Sequence, residues 1–247
     1  MNNAQMKEVL KKLKLGGILE TYESRLYEAR EANLSYEEAT GLLFNDELEA
    51  RNTKSLMQRI KYASFEEEKT FENFDINYYP DSVRRIINHL KTVEFIHGKK
   101  HVVILGPTGT GKTHLAQALG HQACCIGKKV KFIKANDMFA EFNRARADQT
   151  VEEKIMKYSK VDLLIIDDFG LQKFIPEQAY DLYELITKRH IKGSFLITSN
   201  RKTDMWLDLF PDTVIASAAL DRVVNNSYSV ILEAESYRKN FIPKIKN

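Results

Sequence analysis

The spacing of apolar positions divides the chain into two regions with different periods. Through residue 70, side chains such as Leu10, Leu13, Ile18, Leu19, Tyr22 and Leu26 recur at three- and four-residue intervals, as on one face of a helix. Glycine is confined there to Gly16, Gly17 and Gly41. Ser35-Tyr36-Glu37-Glu38 has the S-x-x-E form of a capping box and predicts a helix that turns Ala39, Leu42, Leu43 and Leu48 inward. Residues 1–70 are therefore expected to form a small all-helical domain. Glu66-Glu67-Glu68 and Phe71-Glu72-Asn73-Phe74-Asp75 read as a linker into a second domain over 71–247.

In that second region short apolar runs at 101–105, 130–133, 161–167, 194–198 and 228–232 alternate with helical periods, which predicts an α/β layer fold around a mostly parallel sheet. Leu163-Leu164-Ile165-Ile166 shows no polar alternation, as expected of a strand covered on both faces. The chain carries no internal repeat and no low-complexity segment.

Charge and cysteine usage narrow the partners only slightly. A net charge of +3 over 247 residues is too small to attract nucleic acid by the overall field, so such binding needs a local patch. Cys124 and Cys125 are adjacent and lack any partner spacing for a disulfide framework or a zinc site. No apolar run approaches the ~20 residues that span a bilayer, so a cytoplasmic protein without a membrane partner is expected.

The chemistry is concentrated in three segments. Residues 106–113, Gly106-Pro107-Thr108-Gly109-Thr110-Gly111-Lys112-Thr113, form a complete G-x-x-x-x-G-K-[ST] phosphate loop between an apolar strand and a helix beginning near His114. The glycines let successive backbone N–H groups converge on an anion at the helix N-terminus. Lys112 supplies a mobile positive charge for the β- and γ-phosphates, and the Thr113 hydroxyl a ligand for Mg2+. Val161 to Asp168 reads as a buried strand ending in two carboxylates, with Asp167 expected toward the metal and Asp168 toward an attacking water. Phe195-Leu196-Ile197-Thr198 leads into Ser199-Asn200, which places an amide at a neighbouring strand tip, within reach of a γ-phosphate or its water. Farther on, Arg222 closes Ala218-Ala219-Leu220-Asp221-Arg222 and is suited to stabilise transition-state charge, typically across a subunit boundary.

GPTGTGKTHLA, LLIIDDFG, LITSNR, AALDR and ESYR, together with the N-terminal YESRLYEAREANLSYEEATGLLFNDELEARN, resemble the IstB family, helper ATPases of insertion-sequence transposition related to helicase loaders of the DnaC type. The resemblance implies an AAA+ P-loop core of three αβα layers that assembles as a homo-oligomer on double-stranded DNA with ATP and assists a transposase. It matches Lys112 and Thr113 to the Walker A residues, Asp167 and Asp168 to Walker B, Asn200 to the first sensor and Arg222 to the arginine finger. Two departures from the broader AAA+ pattern stand out. Asp168 replaces the usual glutamate, one methylene shorter, which points to slow or partner-dependent hydrolysis. Nine residues follow Arg238, too few for a full helical lid, and leave Arg238 as the candidate second sensor.

For DNA, Arg51, Lys54, Gln58 and Lys61 share one helical face while Leu56, Ile60 and Ala63 share another, so a basic stripe can follow phosphates without reading bases. Lys7, Lys11, Lys12 and Lys14 form a second basic cluster, and Arg144 with Arg146 a third. A replicative helicase is the alternative partner. A small-molecule kinase and a binding module that uses ATP as an assembly switch, with hydrolysis incidental, are readings from other classes.

Overall fold

A computed structural model describes residues 2–233. The chain divides into two compact units, one ending at Gln58 and one beginning at Arg59.

The first unit is built from three helices, α1 (Asn3–Lys12), α2 (Gly16–Glu31) and α3 (Tyr36–Ala63), α3 contributing its residues up to Gln58. Asn2 and Gln5 cap α1 reciprocally. The predicted capping box also forms at α3, where the Glu38 carboxylate accepts from Ser35 N–H at 2.8 Å and the Ser35 hydroxyl accepts from Glu38 N–H at 3.2 Å. Helix α2 has no side-chain cap of its own. Its first amides instead donate to Glu47 of α3, Gly17 N–H at 2.8 Å and Ile18 N–H at 3.2 Å from Oε2. The neighbouring Asp46 accepts both Nε and Nη2 of Arg25 at 2.8 and 2.7 Å, and this fork lowers its pKa to about 2.

The buried positions in this part of α3 are thus Asp46 and Glu47, not the leucine expected from the periodicity: Leu48 is 57% exposed, and Leu13 of the first apolar set is 61% exposed. One residue along a helix rotates the side chain by about 100°. Directing the acid pair at α2 therefore turns Leu48 away. Gly17 makes the approach possible, since a Cβ there would lie 2.6 Å from the Asp46 carbonyl oxygen and 2.7 Å from the Glu47 Cα.

The second unit continues through a 3-10 turn (Ile76–Tyr78), α4 (Asp81–Leu90), α5 (Glu94–His97), β1 (His101–Leu105), α6 (Lys112–Cys125), β2 (Val130–Lys134), α7 (Ala135–Ala147), α8 (Val151–Ser159), β3 (Leu163–Asp167), α9 (Pro176–Arg189), β4 (Ser194–Ser199), a second 3-10 segment (Thr203–Leu209), α10 (Thr213–Val224) and β5 (Ser227–Ile231). Among the described residues five strands form one parallel sheet, in the order β2-β3-β4-β1-β5. Val103, Leu164, Ile166, Phe195 and Ile197 join α7 to α10 in one core, while α6 packs on β1 to β4, with Ile165 reaching Gly120 on that helix. Helices thus cover both faces of the central strands, giving the expected three-layer αβα core.

The stretch read as a linker belongs to this core. Arg59 Nε donates to the Cys124 carbonyl at 2.9 Å, Ala63 is buried, Phe65 stacks on His121 at 4.3 Å, and Glu67 N–H reaches Gln117 Oε1 at 3.3 Å. Residues 59–70, expected in the N-terminal domain, therefore run along α6, because Phe65 finds an apolar seat over Gly120 and Phe132. Lys131 Nζ donates to Ser64 Oγ at 2.8 Å and Lys134 pairs with Glu66 at 2.7 Å, so the same stretch follows the outer edge of β2. Among the described residues, no helix is long and apolar enough to cross a membrane.

Gly17→Ala is expected to destabilise the first unit by about 1–3 kcal/mol, because backbone atoms of α3 occupy the space of the new methyl. Hydrogen exchange of the full chain checks this: α2 amides should lose protection while β1 and β3 amides keep theirs.

Candidate functional site

The carboxyl ends of β1, β4 and β3, neighbours in the sheet, deliver Gly106, Asn200 and Asp167 to one crevice, where open α/β sheets bind ligands. The loop out of β1 depends on glycine. Gly106 has φ +152° and a Cβ there would stand 2.5 Å from the Leu232 carbonyl oxygen; at Gly111, φ +87°, it would stand 2.5 Å from the Tyr79 hydroxyl. Tyr79 Oη donates to the Thr110 carbonyl at 2.8 Å, and the Thr110 hydroxyl donates to the Pro107 carbonyl at 2.9 Å. Gly111 caps α6 without any side-chain hydrogen bond, so the first-turn amides remain available to an anion. Lys112 is buried and folded into the loop, its Nζ donating to the Pro107 carbonyl at 2.8 Å.

Thr113 and Asp167 meet as predicted, with the Thr113 hydroxyl 3.1 and 3.0 Å from the two carboxylate oxygens. Asp167 is fully buried and burial raises its pKa, an effect that hydrogen bonds from Thr198 and Thr113 partly offset. Adjacent hard oxygen donors at the mouth of a phosphate loop fit Mg2+, which Thr113 and Asp167 would hold. Asp168 follows with φ +55°, a conformation that aspartate tolerates better than most residues, and it faces the cavity. Asn200 Nδ2 lies 3.4 Å from Thr108 Oγ1, which ties the β4 tip to the phosphate loop.

Thr108, Gly109, Gly111, Lys112, Thr113, His114, Asp168 and Asn200 all line one cavity of about 780 Å³. Gly106, Pro107, Thr110 and Asp167 stand behind them as its support. His114 Nε2 contacts the Thr70 carbonyl and Asn73 Oδ1 at 3.1 and 2.9 Å, and burial lowers its pKa, favouring the neutral ring. Arg222 does not join this group. It lies on α10 with Nη1 donating to the Ala218 carbonyl at 2.7 Å and its guanidinium 5.5 Å from the Tyr183 ring centroid. Arg51, Lys54 and Lys61 are exposed on α3, Arg51 pairing with Glu47 at 2.6 Å. Arg238 lies outside the described residues.

The opposite wall is not signalled by any motif. Phe74, Tyr78 and Tyr79 line the cavity, Phe74 stacking on Tyr79 at 5.5 Å with planes 12° apart, and Glu67 and Glu68 close its rim. The available signal was the aromatic density of FENFDINYYP just upstream of the strand–loop–helix unit.

The model for IstB-like ATP binding proteins matches residues 8–243. The chain belongs to that family. It is 37% identical over 234 residues to an insertion-sequence ATP-binding protein of Mycobacterium tuberculosis, covering 94% of this chain and 93% of that one. An IS21 ATP-binding protein of Pseudomonas aeruginosa is 31% identical, covering 95% and 88%. Among solved structures, AMPPCP-bound DnaA from Aquifex aeolicus superposes with a TM-score of 0.58 at 21% identity, over 72% of this chain and about half, 54%, of that chain. The DnaC helicase loader gives 0.53 at 17% identity, over 65% and 97%. These likenesses establish the AAA+ P-loop fold.

Asp167→Asn should raise the melting temperature at neutral pH, because it removes a buried charge yet keeps an acceptor for Thr198. The native pKa lies above the unfolded value of about 3.9, so the ionisation cost is absent below that value and grows as pH rises through the native pKa. Melting curves of both proteins should therefore nearly coincide at low pH and separate toward neutrality.

Proposed function

We propose that this protein is a DNA-dependent ATPase that assembles on duplex DNA and assists a transposase in insertion-sequence transposition. The observation that carries the reading is the convergence of Lys112, Thr113, Asp168 and Asn200 on one cavity, in a chain whose relatives are insertion-sequence ATP-binding proteins. The phosphates of ATP lie against the loop amides and Lys112, and the base lies toward the aromatic wall of Phe74, Tyr78 and Tyr79. Thr113 and Asp167 would hold Mg2+, which would supply neutralisation of the charge on the phosphates.

Asp168 orients the attacking water and draws off its proton as the oxygen bonds to the γ-phosphorus and the bond to ADP breaks. Asn200 holds a γ-phosphate oxygen from the β4 tip. Arg222 acts on the γ-phosphate of an adjoining copy, in keeping with its position outside the cavity of its own chain. The shorter reach of Asp168 makes hydrolysis slow until DNA or the transposase tightens the site. Arg51, Lys54 and Lys61 meet DNA phosphates and carry no base specificity.

Lys112→Ala is expected to abolish retention of a fluorescent ATP analogue and ATP-dependent assembly; normal ATP turnover in that variant would sink the proposed site. Arg222→Ala should leave analogue binding intact and lower hydrolysis only in the assembled form. Reversing Arg51, Lys54 and Lys61 to glutamate should flatten the salt dependence of duplex binding by about 0.9 logarithmic units for each phosphate no longer neutralised. Co-purification with a replicative helicase instead of a transposase would favour a loader.

A further inference from the structure

Thr198 occupies the next-to-last position of β4, fully buried, two residues before Asn200. Its Oγ1 lies 2.5 Å from Asp167 Oδ1 and 3.0 Å from Asp168 N. The directions of both bonds are forced. A backbone N–H can only donate, so the hydroxyl accepts from Asp168, and its single proton goes to Asp167. One hydroxyl therefore fixes the side chain of the first carboxylate and the backbone of the second. The same segment is laced further: Phe169 N–H donates to the Thr198 carbonyl at 2.9 Å, Ser199 Oγ donates to the Phe169 carbonyl at 2.7 Å, and Arg201 Nε donates to the Gly170 carbonyl at 2.6 Å. Asp168 and Gly170, both at positive φ, are thereby held to β4 and the turn through Asn200 and Arg201 that follows it.

We infer that Thr198 is a positioning residue for ATP hydrolysis: its hydroxyl orients Asp167 for the metal and sets the backbone turn that aims Asp168 at the water. The inference rests on the hydrolytic reading of the cavity. Thr113 alone cannot take over this role, because its hydroxyl oxygen is the one offered to the metal, whereas Thr198 approaches Asp167 from the sheet. A methyl in place of the hydroxyl keeps volume and strand propensity while leaving the Asp168 amide without an acceptor and Asp167 free to turn.

The test compares wild type with Thr198→Val and Thr198→Ser, each checked for folding by melting curves; Thr198→Ala removes the same hydroxyl should the valine fail to fold. A fluorescent ATP analogue is titrated in EDTA and in Mg2+, and steady-state hydrolysis is followed with duplex DNA present. Valine should lower kcat by about 10- to 100-fold, the usual effect of losing a partner that orients a metal ligand. EDTA affinity should stay within about twofold of wild type, as expected when metal-free binding is untouched, while the affinity gained on adding Mg2+ should shrink and KM for Mg-ATP should rise by the same factor. Serine should restore both kcat and the Mg2+ effect. Wild-type kcat and Mg2+ response in the valine variant would overturn the assignment. So would a serine variant as impaired as valine, which would locate the role in the methyl group, or parallel losses of EDTA affinity and melting temperature, which would mark a merely structural residue. Failure of the wild-type protein to bind the analogue at all would refute the ATPase reading instead.

Discussion

A carboxylate with no exposed surface, met by two hydroxyls and, among the described residues, by no paired cation, is the constraint around which the second unit is organised. Asp167 can stay at the end of β3 only because Thr113 arrives from the first turn of α6 and Thr198 from β4. Each donor comes from a different element, so the carboxylate also measures whether α6, β3 and β4 are in place. The parallel pairing that aligns Ile166 with Ile197 puts Asp167 level with Thr198. Without that alignment a buried charge would stand unsolvated, at a cost of several kcal/mol. The stability given up there keeps an ionisable oxygen cluster at the mouth of the phosphate loop.

The loop itself is held from the other side by aromatic residues. Tyr79 bonds the Thr110 carbonyl and fills the space over Gly111, and Phe74 stacks on that tyrosine while its edge meets His114. His114 in turn anchors Thr70 and Asn73. The segment from Phe65 to Tyr79 is thus both a wall of the cavity and a strap along α6, the helix whose N-terminus faces the phosphates. Through Tyr79 this strap is joined to the phosphate loop as well as to the aromatic wall.

Much of this was legible in the sequence because its signals are local. Glycine at 106, 109 and 111 reports backbone angles that other residues resist, and the unbroken Leu163–Ile166 run reports a strand covered on both faces. The Ser35–Glu38 box marks a helix start whose bonds span three residues. What stayed hidden depends on interactions between distant positions. Leu48 carries the right period for burial, yet the pull of the α2 amides on Glu47 decides how α3 is rotated. The stretch from Glu66 to Asp75 has the charge and polarity of a linker, and only contacts with distant positions, such as the seat of the preceding Phe65 over Gly120, fifty-five positions away in the chain, make it part of the second unit. Arg222 was singled out by its motif alone, and among the described residues its contacts are with Ala218 and Tyr183, away from the cavity.

The side chains along β2 bear on whether the sheet can be extended by a foreign strand. A parallel sheet presents unpaired amides and carbonyls at its outermost strands, and such rims invite a foreign strand to zip on. Here Lys131 tethered to Ser64 and Lys134 tethered to Glu66 sit along that rim like stitches. An incoming strand would have to unpick both before it could pair. The sheet is thereby guarded on its β2 side against being continued from one molecule into the next.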